Sequence, residues 1–364
     1  MANHNASNER VKHNYFEFME HAKGRDVATI DRVAKSLARF EESTGRRAFG
    51  KFRREQAVAF KRQLADQRNA RSGERLSKAT LQSTLRDLKA FFEWLAREPG
   101  FASQIAYIDA DYFNLSEKDA AIARTKRERP FPELHQIEAA LAAMPAATPL
   151  ERRNRALVAF TTITGARVDA LRTLRLGHVD LERGYVDQDA RTVATKFSKT
   201  IGTVFMPVSD AALEMVQSWC RELREQHGWG AGDPLFPATA MGLSATGEFE
   251  AQGLARKHWQ STGPIREVFR RAFGAAGLPY FNPHAFRHTL VHHAMRLGLG
   301  PEEMKAWSQN LGHASVLTTF TSYGNVPAQR QAELIRAAGA KLASDTLDDP
   351  DIRALIGRIR DKAR

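Results

Sequence analysis

The chain of 364 residues has one cysteine, Cys220. A single thiol excludes an intramolecular disulfide framework and a zinc site built from thiolates, and it fits a reducing compartment. Long apolar runs are missing too. None approaches the roughly 18 to 20 residues needed to cross a bilayer, so no membrane span is expected. The opening MANHNASNER is polar and lacks the apolar stretch of a secretory signal, which predicts a cytoplasmic protein. Acidic residues are under-represented against basic ones, 42 Asp plus Glu to 54 Lys plus Arg, for a net charge of +12. That surplus predicts a polyanionic partner, nucleic acid first among them. With 43% hydrophobic residues, the chain is long enough for two or three domains, each with its own core.

The positive charge is concentrated early. Residues 1–97 hold 21 basic and 12 acidic side chains, a difference of +9. The same stretch carries helical periodicity. Leu81, Leu85, Leu88, Phe92 and Leu95 recur at spacings of three and four, with Ser77 and Thr80 as candidate N-caps. Ile30, Val33, Leu37 and Phe40 predict an earlier helix, and Val58, Phe60 and Leu64 a third, so 1–97 is expected to be a basic helical bundle. The pattern breaks over 98–130, at Pro99, Gly100 and the charged run before Pro130, and this stretch is expected to be a linker. A new helical pattern begins after Phe131 with Leu134, Ile137 and Leu141.

Between Gly184 and Val208 the runs GYVDQ, TVATKFS and GTVFMPV predict a small antiparallel sheet. Helical signals return at 209–227, 264–276, 284–298, 301–309 and 327–342, whereas 237–262 reads as a long loop. The end of the chain, with Ile352, Leu355 and Ile359, predicts a short basic amphipathic helix.

Three short constellations carry residues suited to phosphate chemistry. In Pro283–His284–Ala285–Phe286–Arg287, a helix would project one imidazole and one guanidinium from the same face. Arginine grips phosphate oxygens bidentately, and histidine donates or moves a proton near neutral pH. His288 and His292 on the same helix have the i, i+4 spacing of zinc ligands, but Thr289 stands where a metalloprotease would have its glutamate. Core-packing or DNA-facing roles are expected for these histidines and His293. In Thr164–Gly165–Ala166–Arg167, the glycine permits a tight bend that would present Arg167 as a phosphate clamp. The third is Leu311–Gly312–His313, followed by Tyr323 just ahead of Gly324. A tyrosine is a poor nucleophile at its usual pKa of about 10 and needs positive charge nearby.

Taken in order, Arg167, a lysine in the β-region, His284, Arg287, His313 and Tyr323 resemble the tyrosine recombinase (phage integrase) family over about 131–330. TGARVDAL is similar to that family's first arginine box, PHAFRH to its second, and QNLGHASVLTTFTSY to its nucleophile segment. The β-hairpin lysine falls on Lys199, eight residues before Pro207, with Lys196 as the competing position. Two positions depart from the pattern. Ala170 stands where the family has glutamate, with Asp169 adjacent, and the usual histidine-to-tyrosine spacing lands on Ser322, one residue short of Tyr323.

The resemblance implies a mainly α fold with a small antiparallel β-sheet. It divides the chain into a helical DNA core-binding domain at 1–97, a linker at 98–130, a catalytic domain at 131–343 and a tail helix at 344–364 that docks on a neighbouring protomer. It implies site-specific recombination through a covalent 3′-phosphotyrosine. Arg167 and Arg287 would clamp the phosphate, and Lys199 would act as general acid. His284 and His313 would hydrogen-bond the phosphate, and Tyr323 would attack it. Neither metal nor ATP is implied as a cofactor. The implied partners are double-stranded DNA carrying inverted-repeat core sites, further copies of the chain forming a tetramer, and accessory DNA-bending proteins. A type IB topoisomerase shares this active-site logic, and an architectural DNA-binding protein on the same scaffold is the non-enzymatic alternative.

Overall fold

The computed structural model of the chain describes residues 4–69, 73–124, 130–195, 199–244, 247–313, 317 and 331–337. It divides into two compact units, Met1–Arg127 and Glu128–Arg364. Among the described residues no helix is long and apolar enough to cross a membrane.

The first unit is a helical bundle in which polar caps start the helices and aromatic rings close them together. Asn5 accepts from the backbone N–H groups of Ser7 and Asn8 and opens α1 (Ala6–Glu17), which runs on into a π-turn at Phe18–Ala22. Asp26 caps α2 (Val27–Ser43) through Thr29 N–H. After α3 (Arg54–Asp66), Ser77 caps α4 (Lys78–Leu95) by accepting from Thr80 N–H. The stripes Val33–Leu37–Phe40, Ala57–Phe60–Leu64 and Leu81–Leu85–Leu88–Phe92–Leu95 all point into the core. At its centre Phe92 stacks on Phe52 with ring centroids 4.1 Å apart and lies 5.3 Å from Phe113. Buried polar groups are paired: Asp87 accepts from Ser36 Oγ at 2.9 Å and from the Arg32 guanidinium.

Phe113 lies in the stretch expected as a linker. Residues 98–124 are instead part of the bundle, with a 3-10 turn at Tyr107–Phe113 and α5 at Glu117–Arg124. Ile105, Ala110 and Phe113 are buried in its core. Their spacing is neither 3.6 nor 2, so the periodicity search passes over them. Their burial, with the ion pairs Lys89–Asp111 and Lys78–Asp119, holds the segment on the bundle.

The second unit is built around α7 (Pro149–Thr164), preceded by α6 (Leu134–Ala143). Thr148 and Glu151 form a reciprocal capping box with Pro149 in the first turn. Every residue of α7 from Ala156 to Thr164 is buried, as befits a helix enclosed on all sides. Next comes α8 (Val168–Thr173), then a three-stranded antiparallel sheet in the order β1 (Val179–Asp180), β2 (Tyr185–Gln188), β3 (Ile201–Val204).

The sheet lies in the expected region with β1 as its third strand, and the described part of the run TVATKFS, residues 192–195, forms no strand. The Asp189 carboxylate and carbonyl accept from Arg191, Thr192 and Val193 N–H, which folds 189–193 into a turn. Lys196 to Ser198 lie outside the described residues. Register across β2 and β3 pairs Val186 with Thr203 and Gln188 with Ile201.

After α9 (Asp210–Glu225), the segment read as a loop forms an antiparallel ribbon, β4 (Ala238–Leu243) with β5 (Phe249–Ala255). Its residues are mostly small or polar, and a bulge at Ala240/Met241 breaks strict alternation, so the strand signal is faint. The fold then runs through α10 (Gly263–Ala275), α11 (Ala285–Arg296) and α12 (Pro301–Asn310). Residues 331–337 are helical, and the tail from 338 lies outside the described residues.

The stacked Phe92 ring sets the first prediction. Phe92→Ala removes a fully buried side chain from the centre of the bundle and should destabilise it by about 3–5 kcal/mol, read from urea unfolding of the full chain.

Candidate active site

Three separate segments of the second unit converge through backbone turns. The first is the bend after α7. Gly165 caps that helix in the left-handed conformation (φ 59°, ψ 24°), donating to Thr161 O at 2.9 Å. The Thr164 hydroxyl accepts from Ala166 N–H at 3.2 Å, and the chain turns so that Arg167 becomes the N-cap residue of α8. A β-carbon on Gly165 would lie 2.8 Å from Leu311 Cδ2 and 3.0 Å from Leu290 Cδ1, so the bend has room only for glycine.

The second segment is the start of α11. His284 is its N-cap residue and is exposed, while Arg287, one turn on, is buried at 5% exposure. The third is the end of α12. There Gly312 adopts the left-handed region (φ 64°), Gly312 N–H donates to Gln309 O, and His313 N–H donates to Ser308 O. Those two reversed bonds make a Schellman end, which explains why a glycine precedes the histidine.

Arg287 ties the three together. Its Nη1 donates to Gly165 O at 2.8 Å and its Nη2 to Leu311 O. Arg167 Nη2 reaches Gly312 O in a longer contact of 3.5 Å. Among the described residues no ion pair joins either arginine to a carboxylate. Burial, and then the charge of Arg167, pushes the Arg287 guanidinium down to about 9, which leaves it charged at neutral pH. Burial lowers Arg167 as well. His313 is pushed down to about 4, first by burial and then by Arg287, Arg167, His284 and His288. The imidazole is therefore neutral at pH 7, beside two fixed positive charges. An anion with oxygens to share is what this arrangement can bind.

The remaining candidates divide. Lys199 is exposed, two residues ahead of β3. Tyr323, Ser322 and Lys196 lie outside the described residues. Ala170 is buried in the core, and Asp169 is exposed and 3.9 Å from Arg172, so neither supplies the carboxylate that the family places there. The other histidines of α11 have aromatic neighbours: His292 packs on Phe131 at 4.1 Å, and His293 lies 6.2 Å from Trp307. Sequence reasoning passed over Asn310, whose side chain bonds the backbone of β3, and the Leu311 carbonyl that holds Arg287. An asparagine just before Leu–Gly–His is the only trace of the first, and a backbone acceptor leaves none.

Residues 132–330 match the model of the phage integrase family. Tyrosine recombinase XerC of Xylella fastidiosa (strain M23) is 25% identical over 313 residues, covering 85% of this chain and 90% of that protein. Among solved structures, a lambda integrase dimer bound to a COC′ core site is similar with a TM-score of 0.58 at 15% identity, covering 88% of this chain and 97% of that one. A lambda integrase tetramer bound to a Holliday junction is similar with a TM-score of 0.54 at 13% identity, over 88% of this chain and 79% of that one.

Two expectations test this geometry. Gly165→Ala should cost about 1–2 kcal/mol for the left-handed backbone alone, with crowding against Leu311 and Leu290 added, and its melting temperature should fall accordingly. For His313, both folded and unfolded chains are neutral above about pH 6.5. Between there and about 4 the unfolded chain takes up a proton that the folded one refuses, so stability falls as the pH drops. His313→Gln should flatten that loss when urea midpoints at pH 7 and pH 5 are compared.

Proposed function

The chain belongs to the phage integrase family, and from that premise we propose that it is a site-specific DNA recombinase acting through a covalent 3′-phosphotyrosine intermediate. The observation that carries the reading is the pair Arg167 and Arg287. Both are charged, at least half-buried and held by backbone carbonyls around one locus, with no carboxylate paired to either among the described residues. A phosphodiester is an anion that fits such a site, and charge building on its non-bridging oxygens during transfer is what fixed cations stabilise.

In the proposed reaction the Tyr323 hydroxyl oxygen attacks phosphorus and the bond from phosphorus to the 5′-oxygen breaks. His284 takes the phenolic proton, and Lys199 gives one to the departing oxygen. The neutral His313 ring hydrogen-bonds the phosphate, whose negative charge offsets the two arginines that depress the imidazole. A 5′-hydroxyl of the partner strand reverses the steps and rejoins the DNA. The phosphotyrosine conserves the bond energy, so ATP has no part, and the two guanidiniums stand where other phosphoryl-transfer enzymes use Mg²⁺.

The helical bundle, whose basic surplus lies in residues 1–97, is proposed to grip the duplex and 131–343 to carry the chemistry, with the tail at 344–364 docking on a neighbour. Assembly as a tetramer on inverted-repeat core sites is proposed by analogy with the lambda integrase assemblies, with accessory DNA-bending proteins as further partners. The setting is the cytoplasm, as part of a mobile element.

Incubation with a nicked target site should trap a covalent protein–DNA adduct, visible as a shifted band on a denaturing gel. Tyr323→Phe should abolish it, and Arg287→Ala should slow its formation by about 10²- to 10³-fold, the scale of losing one charge-stabilising donor. A chelator should leave the rate unchanged. An adduct that survives Tyr323→Phe and disappears in Ser322→Ala would overturn the assignment.

A further inference from the structure

The outer edge of β3 is paired by a single side chain. Asn310, the last residue of α12, donates from Nδ2 to Val204 O at 2.8 Å and accepts at Oδ1 from Val204 N–H at 2.7 Å. It stands in for the strand that would otherwise satisfy both groups. Its own carbonyl accepts from the Thr203 hydroxyl at 3.2 Å, and that hydroxyl accepts from Gln188 Nε2 of β2 at 2.9 Å. Further back along β3, Ile201 lies so close to Gly312 that a β-carbon there would sit 2.7 Å from Ile201 Cδ1. β3 is therefore fixed against the turn that presents His313 by contacts at residues 201, 203 and 204.

Lys199 precedes Ile201 by two residues, roughly 6–7 Å of extended chain. We infer that Asn310 is a positioning residue for the proton donor: it sets where β3 sits against the Leu311–Gly312–His313 turn, and so where Lys199 stands relative to the phosphate. This rests on Lys199 as the general acid of the proposed reaction. Asn310 touches neither the DNA nor the reacting atoms in this role, so its loss should affect the protonation of the leaving group and spare the grip on the phosphate.

The test compares cleavage of ordinary target DNA with DNA carrying sulfur in place of the bridging 5′-oxygen. In both, the Tyr323 oxygen-to-phosphorus bond forms. In one the phosphorus-to-oxygen bond breaks and the oxygen needs a proton. In the other the phosphorus-to-sulfur bond breaks and a thiolate, far less basic than an alkoxide (a cysteine thiol titrates at about 8.5), leaves without one. Asn310→Ala should slow cleavage of the oxygen substrate by about 10- to 100-fold and of the sulfur substrate by less than about threefold, with DNA affinity unchanged.

Asn310→Asp keeps the acceptor for Val204 N–H and loses the donor. A carboxylate oxygen then faces the Val204 carbonyl, so the β3 edge should loosen at least as much as in Ala, and the variant carries the same comparison if the Ala variant does not fold. Lys199→Ala must show the same sulfur rescue, whereas His313→Ala should stay slow on both substrates. If Lys199→Ala is not rescued, the general-acid assignment itself fails. If Lys199→Ala is rescued and the Asn310 variants are not, or if they cleave oxygen DNA at the wild-type rate, the positioning role is overturned.

Discussion

The Arg287 guanidinium is removed from water and donates to two carbonyls, Gly165 O and Leu311 O, from segments far apart in the chain. A buried cation is costly unless hydrogen bonds replace its hydration, and here backbone carbonyls do that in place of a carboxylate. The distinction matters for function. A carboxylate partner would cancel the charge, whereas carbonyls hold the side chain and leave its charge available. The bend at Gly165, the start of α11 and the end of α12 are thereby held to one another by the group proposed to bind the anion.

The two glycines follow from that constraint. Gly165 and Gly312 each end a helix in the left-handed region, and each packs too tightly for a β-carbon. The carbonyls that hold Arg287 and Arg167 come from these turns or from the residue beside them. The sheet enters the same arrangement through Asn310 and Gly312, which fix β3 to the end of α12. Turns held rigid in this way suit the proposed reaction, in which positioning and charge do most of the work.

The charge of the chain divides between two uses. The surplus of +9 over residues 1–97 is carried by solvated side chains on a bundle whose core is aromatic, and charge of that kind suits a salt-dependent grip on a phosphate backbone. Arg167 and Arg287 are few, buried or half-buried, and unpaired with carboxylates among the described residues. Desolvation strengthens their field at one locus and depresses His313, so the histidine beside them is neutral at pH 7 and available as a hydrogen-bonding group.

Periodicity and motif order alone determined a good deal. The helices of the bundle, the cap at Ser77, and the segments bearing Arg167, His284, Arg287 and His313 are all local, set by spacing of apolar residues or by a few adjacent side chains. Tertiary structure decided what depends on neighbours distant in sequence. Residues 98–124 join the bundle because Ile105 and Phe113 find its core, although their spacing has no period. The ribbon β4–β5 exists because two weakly patterned strands pair with each other. Which atoms hold Arg287, and that Asn310 pairs the edge of β3, could not be read beforehand, because backbone carbonyls are the same in every residue and an amide side chain shows no partner until the chain has folded.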